Sequence, residues 1–310
     1  MKSNYEYGSL APFLDIASLE IPVDWSRVFG NRNPLEVEIG FGTGEYITAI
    51  ASTDAGCNLI GFEESAKRTI KTLRKLHEAG LKNVRLLKLD AVLGLEHLFP
   101  LGSLRKAHCL FPCPWPKKRH VKHRLFQPAV LRLIHRRLIA GGQLLIVTDH
   151  QPYADWIAEN LPPEAFRLER RTALARFDTK FERKWRQAGQ EEFYELVLTK
   201  AGDISAGHKE MTPVKAYFLK DLEPEQIKFT DQSGLVSVQF SDFLCDAVRK
   251  KAMVHAIVTE ERRSHHVWIM IVHTSKGWCI APADGTAVLP TEGVQKAVEL
   301  VFEAAARTVK

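Results

Sequence analysis

Leu35-Glu36-Val37-Glu38-Ile39 runs straight into Gly40-Phe41-Gly42-Thr43-Gly44, and Tyr46 to Ser52 follows. The first five residues read as a short strand, the glycines as a tight turn, and residues 46–52 as a helix. The same alternation continues downstream. Asn58 to Phe62 reads as a second strand, Lys67 to Glu78 as an amphipathic helix closed by Gly80, and Val84 to Leu89 as a third strand. Lys106 to Phe111 is a fourth strand, Leu125 to Ile139 a helix ending at Gly141-Gly142, and Gln143 to Thr148 a fifth strand. Strands alternating with helices predict an α/β fold, a Rossmann-like, doubly wound parallel sheet. Tyr153 to Asn160 adds a helix and Phe193 to Thr199 an edge strand.

The alternation stops near Lys200. Residues 201–213 are polar, with two glycines and a proline, and read as a linker. Beyond them Gly234 to Phe240, His255 to Thr259, Val267 to His273 and Trp278 to Ala281 read as short strands. The region Val248 to Met253 and, more strongly, Val294 to Ala306 read as helices. The expected organisation is an N-terminal extension over 1–33, the doubly wound domain over 34–200, and a smaller α+β domain over 214–310.

The glycine turn carries chemistry. Gly40, Gly42 and Gly44 let the backbone approach a ligand and leave helix N-terminal N–H groups free. The spacing is G-x-G-x-G with Glu38 two residues ahead, whereas dinucleotide enzymes usually show G-x-G-x-x-G. The observed form is typical of enzymes that bind S-adenosylmethionine, a ligand with a carboxylate and an ammonium but no pyrophosphate. Glu63 follows the second strand, where an acid accepts from both ribose hydroxyls. Asp90-Ala91 follows the third strand, a position suited to the adenine edge.

A second feature follows the fourth strand, Phe111-Pro112-Cys113-Pro114-Trp115-Pro116-Lys117-Lys118-Arg119-His120. From Lys117 to Arg124, seven of eight residues are Lys, Arg or His, and Arg132, Arg136 and Arg137 extend the charge. Stiff prolines and a stackable Trp115 precede the run at the ligand-binding edge of the sheet. Lys118, Arg119, His120, Lys122, His123 and Arg124 are therefore expected to hold RNA phosphates, contacts that position RNA without reading its sequence. The formal charge of +6 and a pI near 9.0 agree with a polyanionic partner. The five scattered cysteines suit a reducing compartment, and no signal-peptide or membrane-spanning run is present, so a cytoplasmic protein is expected.

These residues give the chain a resemblance to the bacterial tRNA (guanine-N7)-methyltransferases, which methylate the guanine near position 46 of the variable loop. It rests on Glu38-Ile39-Gly40-Phe41-Gly42, Glu63, Asp90-Ala91 and the Phe-Pro-x-Pro-Trp-x-Lys-x-Arg-His segment. It continues through Thr148-Asp149 with Tyr153, then Thr179-Lys180-Phe181-Glu182 with Gly189, and covers roughly residues 34–200. The resemblance implies S-adenosylmethionine contacts at Glu38, Glu63 and Asp90. It implies substrate contacts at Lys117, Asp149 and Thr179 to Glu182. The family has an aspartate, regarded as part of the active site, where this chain has Cys113.

Guanine N7 carries a lone pair and no proton, so its attack on a sulfonium methyl needs no general base. The work left is in-line positioning and electrostatic support of the positive charge that develops on the base. Asp149 or Glu182 suits acceptance from guanine N1–H and the exocyclic amine. Bland alternatives are a helix N-cap for Asp149 and a surface ion pair for Glu182. A zinc site from Cys109, Cys113, His120 and His123 is disfavoured by their spacing. A nucleophilic Cys113 is disfavoured because the reaction needs no covalent intermediate. Glu260 to His266 reads as a hairpin turn. Competing readings are a relative that binds S-adenosylmethionine or RNA without methylating, and a methyltransferase acting on another RNA; the loop spacing disfavours a nicotinamide dehydrogenase.

Overall fold

Val37, Leu59, Ile60, Leu86, Leu104, Ala107, Leu144 and Ile146 are buried almost completely, and they lie on neighbouring strands of one sheet. Strands apolar on both faces belong inside a parallel sheet flanked by helices. A computed structural model describes residues 9–21, 23–190, 192–202, 214–260, 263–283 and 289–308. The expected linker over 203–213 lies outside the described residues. Two compact units are present, the first running to residue 202 and the second resuming at 214, with Asp15–Ser18 grouped with the second.

The first unit contains α1 (Trp25–Phe29), β1 (Leu35–Ile39), α2 (Glu45–Thr53), β2 (Asn58–Phe62), α3 (Ala66–Glu78), β3 (Val84–Leu87) and α4 (Ala91–Leu98). It continues with β4 (Leu104–Leu110), α5 (Pro128–Arg137), β5 (Leu138–Thr148), α6 (Gln151–Glu159), β6 (Phe166–Leu174), α7 (Lys180–Gln187) and β7 (Glu192–Lys200). The sheet order is β3-β2-β1-β4-β5-β7-β6, with β1 to β5 parallel and β7 antiparallel to both neighbours. Strand order reverses between β1 and β4, which opens a crevice at their carboxyl ends.

Several sequence expectations change. The helix expected over 125–139 is confined to Pro128–Arg137, because Pro128 fits the first helical turn and the chain re-enters strand at Leu138. Phe193–Thr199 lies inside β7, which is not an edge; the edge is β6, whose Arg167, Glu169, Arg170 and Arg171 hid it from an apolar-pattern search. The N-terminal segment is packed into the first unit, for Val23 and Trp25 are each 4% exposed and Trp25 Nε1 donates to Leu98 O at 3.1 Å. Phe13 forms a parallel bridge with Leu86 of β3.

Among the described residues, the second unit is a five-stranded antiparallel sheet with one α-helix and a short 3₁₀ turn over Pro224–Gln226. Its strands are β8 (Tyr217–Leu219), β9 (Val236–Asp246), β10 (Lys251–Glu260), β11 (Arg263–Thr274) and β12 (Gly277–Pro282), in the order β8-β12-β11-β10-β9. The helix is α8 (Glu292–Ala306), N-capped by Thr291, whose hydroxyl accepts from Val294 N at 3.2 Å. No helix covers 248–253; Lys250 takes a left-handed turn conformation (φ 49°) and β10 begins at Lys251. The turn expected over 260–266 is shorter, since Glu260 pairs with Arg263 and Ser264 and His266 belong to β11; residues 261–262 lie outside the described residues.

Candidate cofactor and RNA site

The turn after β1 is built as its glycines require. Gly40, Gly42 and Gly44 have φ of 75°, 55° and 82°, the left-handed region that favours glycine. A Cβ on Gly44 would lie 2.4 Å from the Thr72 side chain of α3, so this turn is also sterically closed to larger residues. Gly44 is the N-cap of α2 and brings no side chain to it; the Ile47 N–H in the first turn donates to Glu38 instead.

Three carboxylates surround the turn. Glu63 is 8% exposed; its Oε2 accepts from Gly42 N at 3.2 Å and its Oε1 from Ser65 N at 3.0 Å, with Arg68 3.4 Å away. Glu45 binds the Thr43 hydroxyl, Lys75 at 2.9 Å and Arg183 of α7 at 3.4 Å, tying the turn to two other elements. Glu38 is 3% exposed, and its Oε2 has no hydrogen-bond partner among the described residues. Burial, reinforced by the negative charges of Glu45 and Glu63 against a backbone hydrogen bond from Ile47, pushes the Glu38 carboxyl up to about 8. Asp90 is the N-cap of α4, accepting from Leu93 N at 2.9 Å.

A buried carboxylate with one oxygen left unpartnered beside a glycine turn is a poor resting arrangement, and it fits a ligand carrying an ammonium. Glu63 at the end of β2 and Asp90 with Ala91 at the end of β3 continue the same edge. These groups suit S-adenosylmethionine, with the glycine turn as its cradle.

A polar chain beneath the turn was missed by sequence reasoning. His108 of β4 is 2% exposed and lies 2.8 Å from both Glu36 Oε2 and the Tyr46 hydroxyl. Burial holds His108 below its ordinary pKa although Glu36 opposes the shift. Burial raises Glu36, but His108 and Arg105 outweigh it and leave the carboxyl lowered. A neutral imidazole that donates from Nε2 to Glu36 and accepts the Tyr46 proton at Nδ1 satisfies all three groups. Tyr46 in turn makes an edge contact with Phe177 at 4.6 Å between centroids.

The basic segment divides. Lys118 to His123 form a short 3₁₀ turn with Lys117 ahead of it; Lys117, Lys118, Arg119, Lys122 and His123 are exposed, His120 half-buried. Trp115 packs on His120 and His123 at 5.6 and 5.2 Å, so the indole braces this turn. Arg124 is not part of the exposed run. It is 7% exposed, donates to Pro114 O at 2.9 Å and lies over Tyr153 and Trp156, a structural use of the guanidinium. Arg137 is likewise buried and donates to Leu95 O and Glu96 O near the end of α4, while Arg132 is exposed. Cys113 is exposed in the loop between β4 and the 3₁₀ turn; Cys109 is buried in β4.

Asp149 directly follows β5 and lines an open cavity of about 700 Å³ with His150, Gln151, Gly189, Gln190, Glu192 and Tyr194. It is not a helix cap; His150 caps α6, its Nδ1 accepting from Tyr153 N at 3.1 Å. Thr179 and Glu182 form a reciprocal capping box at the start of α7. Glu182 is 2% exposed: one oxygen accepts from Thr179 N at 2.7 Å, the other from Arg176 N at 3.1 Å and Phe177 N at 3.3 Å. It is not a surface ion pair, for its carboxylate is buried against three backbone donors. Lys180 and Phe181 are exposed, and Phe181 stacks on Phe111 at 5.6 Å, which sets α7 beside the start of the Cys113 loop.

A sheet with a glycine turn and an acid at the next strand end is the architecture of a methyltransferase, and a family described as putative methyltransferase matches residues 32–195. A tRNA (guanine-N(7)-)-methyltransferase of Chlorobium phaeobacteroides is 39% identical over 181 residues, 58% of this chain and 89% of that protein. A protein of the same name from Thermotoga maritima is 37% identical over 175 residues, 56% of each chain. One from Aquifex aeolicus is 29% identical over 277 residues, 87% of this chain and 93% of its own. The chain belongs to the tRNA (guanine-N(7)-)-methyltransferase family. The Aquifex match covers more than the first unit alone holds, so the likeness reaches past residue 200 into the second unit.

Proposed function

We propose that the protein transfers a methyl group from S-adenosylmethionine to N7 of a guanine in tRNA, at position 46 of the variable loop, in the cytoplasm. The observation that carries the cofactor half is the buried, unpartnered Glu38 oxygen beside the positive-φ glycine turn. When bound, the cofactor supplies an electrophilic methyl. The protein's residues bind, orient and shield. Glu38 accepts from the ligand's ammonium, the glycine turn lets the ligand approach the backbone, and Glu63 accepts from its ribose. Asp149, in the open cavity after β5, accepts from the guanine edge, with Lys117 and the exposed part of Thr179 to Phe181 beside the base. Lys118, Arg119, His120, Lys122 and His123 hold phosphates. Glu182 acts through the backbone it clamps.

The test is transfer of a tritiated methyl to unmodified tRNA followed by mapping of the labelled base. Label on N7 of a variable-loop guanine supports the proposal; label on another atom or nucleotide overturns it. One observation favours a second reading, a protein that binds both ligands and methylates poorly: Cys113 is exposed, at the position where the resemblance implies an active-site acid. A neutral thiol accepts charge-assisted hydrogen bonds far less well than a carboxylate. If the acid supports charge on the product base, Cys113→Asp raises the single-turnover rate by roughly a hundredfold or more, the scale of one preorganised electrostatic contact. An unchanged rate at every pH, with both ligands bound, shows that the missing acid does not limit the enzyme.

A further inference from the structure

The helix of the second unit covers only one face of its sheet. Val254, Ala256 and Val258 of β10 and Val267, Ile269 and Ile271 of β11 are buried in the core shared with α8. Strand alternation sends Met253, His255 and Ile257 of β10, and His266, Trp268 and Met270 of β11, to the other face, and none of these belongs to that core. The antiparallel register sets His255 opposite Trp268 and His266 opposite Ile257.

Three rings come together there. His255 and His266 are stacked at 5.2 Å with planes 22° apart, and His255 meets Trp268 at 4.9 Å. Hydrogen bonds fix them: Ser241 Oγ lies 2.6 Å from His255 Nδ1, and His255 Nε2 lies 3.2 Å from His266 Nδ1. His266 is exposed, His255 and Trp268 half-buried. Gln239, Ser241 and Ser264 form an exposed polar rim, and Lys251 stands exposed on the same face beside Lys250 and Arg249 of the preceding turn.

We propose that this face is a stacking platform for an unpaired nucleobase of the RNA substrate. A nucleobase has a flat π face matched to preset rings and a polar edge matched to the rim amides and hydroxyls, and its flanking phosphates match the Lys250–Lys251 pair. A purely apolar protein segment would leave these hydrogen-bonding groups without partners. Rings held in place by strand register and hydrogen bonds lose little freedom when a base stacks on them. The inference rests on the reading that the substrate is RNA, and it gives the second unit a part in holding that substrate.

The experiment uses the full chain, unmodified tRNA, and a short single-stranded RNA as an independent probe. Trp268→Leu is expected to weaken tRNA binding roughly tenfold, the scale for one stacked base, with KM raised in proportion and cofactor affinity kept. The salt dependence stays as in the parent protein, because no phosphate contact is lost, whereas Lys251→Ala lowers its slope by about one unit. Quenching of tryptophan fluorescence by the short RNA is expected in the parent chain and lost in Trp268→Leu. If Trp268→Leu, folded by circular dichroism, binds tRNA and the short RNA as tightly as the parent, the platform is not an RNA site. If that variant does not fold, exposed His266→Ala decides in the same way. Trp268-dependent RNA binding without methyl transfer overturns the enzymatic reading and leaves the platform standing; methyl transfer with no Trp268 effect does the reverse.

Discussion

Glu38 is neutral in the free protein below about 8, because ionising it would place an unpaired charge in the interior. An ammonium bound at its orphaned oxygen favours the carboxylate, so ligand binding at neutral pH expels a proton. The affinity for S-adenosylmethionine is therefore expected to rise with pH up to about 8 and to fall again where the ligand's own ammonium loses its proton. Calorimetry in buffers of different ionisation enthalpy reads the released proton directly. Glu38→Gln, which has no proton to give at that position, is the control; equal proton release by both forms places the ligand's ammonium elsewhere. The type and spacing of Glu38, Glu63 and the glycines were legible in the sequence, because the turn demands them. Burial was not. Arg124 reads as one more charge in a basic run, yet its guanidinium is enclosed by Pro114 O, Tyr153 and Trp156. Nothing in a charge count separates it from exposed Lys122.

At the scale of elements, one buried carboxylate, Glu182, accepts from three backbone N–H groups of the segment before α7. Glu182→Ala removes the acceptor for three backbone N–H groups and half of a capping box, a loss of roughly 1–3 kcal/mol or more for buried donors left unmade. Since α7 is a short element of the first unit, the loss is expected as faster amide exchange at Arg176, Phe177 and Thr179 and as weaker tRNA binding, with cofactor affinity kept. Unchanged exchange at those amides shows that another group holds the loop. The 3₁₀ turn from Lys118 to His123 makes a separate prediction. Neutral replacements at exposed Lys118 and Arg119 should each lower the slope of log affinity for tRNA against log salt by about one unit. A slope that stays the same makes the turn only a solvated face. The parallel strands were legible because each is a short stretch of buried apolar residues bounded by turns and helices. Both α7 and β6 were not, being rich in charge: α7 reads Lys180-Phe181-Glu182-Arg183-Lys184-Trp185-Arg186-Gln187. Its one readable signal was Thr179 followed three residues later by Glu182, the capping-box spacing.

Over the whole molecule, each unit has its own sheet and its own buried core, and the cofactor turn draws every contact described above from the first. A chain ending near residue 200 is expected to fold and to bind S-adenosylmethionine with unchanged affinity, while tRNA binding weakens because the ring platform is gone. Aggregation of the shortened chain, or loss of cofactor binding by calorimetry, would mean that the first unit needs the second. The existence of two units was legible from the break in alternation after Lys200, but the open sheet face was not, since period-two alternation marks two faces without saying which one a helix covers.

The strand order also sets when each part of the chain can take shape. In the second unit β9, β10 and β11 each pair with the next strand in sequence, so most of its sheet closes through short hairpins. In the first unit β1 sits between β2 and β4, and Leu35 finds its partner Leu104 only after two strands and three helices have intervened. Local pairings close quickly and distant ones slowly. After dilution from denaturant, the second unit should be ordered before the first, and the glycine turn should be among the last features to acquire its walls. Pulse-labelled amide exchange during refolding would show β10 and β11 protected ahead of β1.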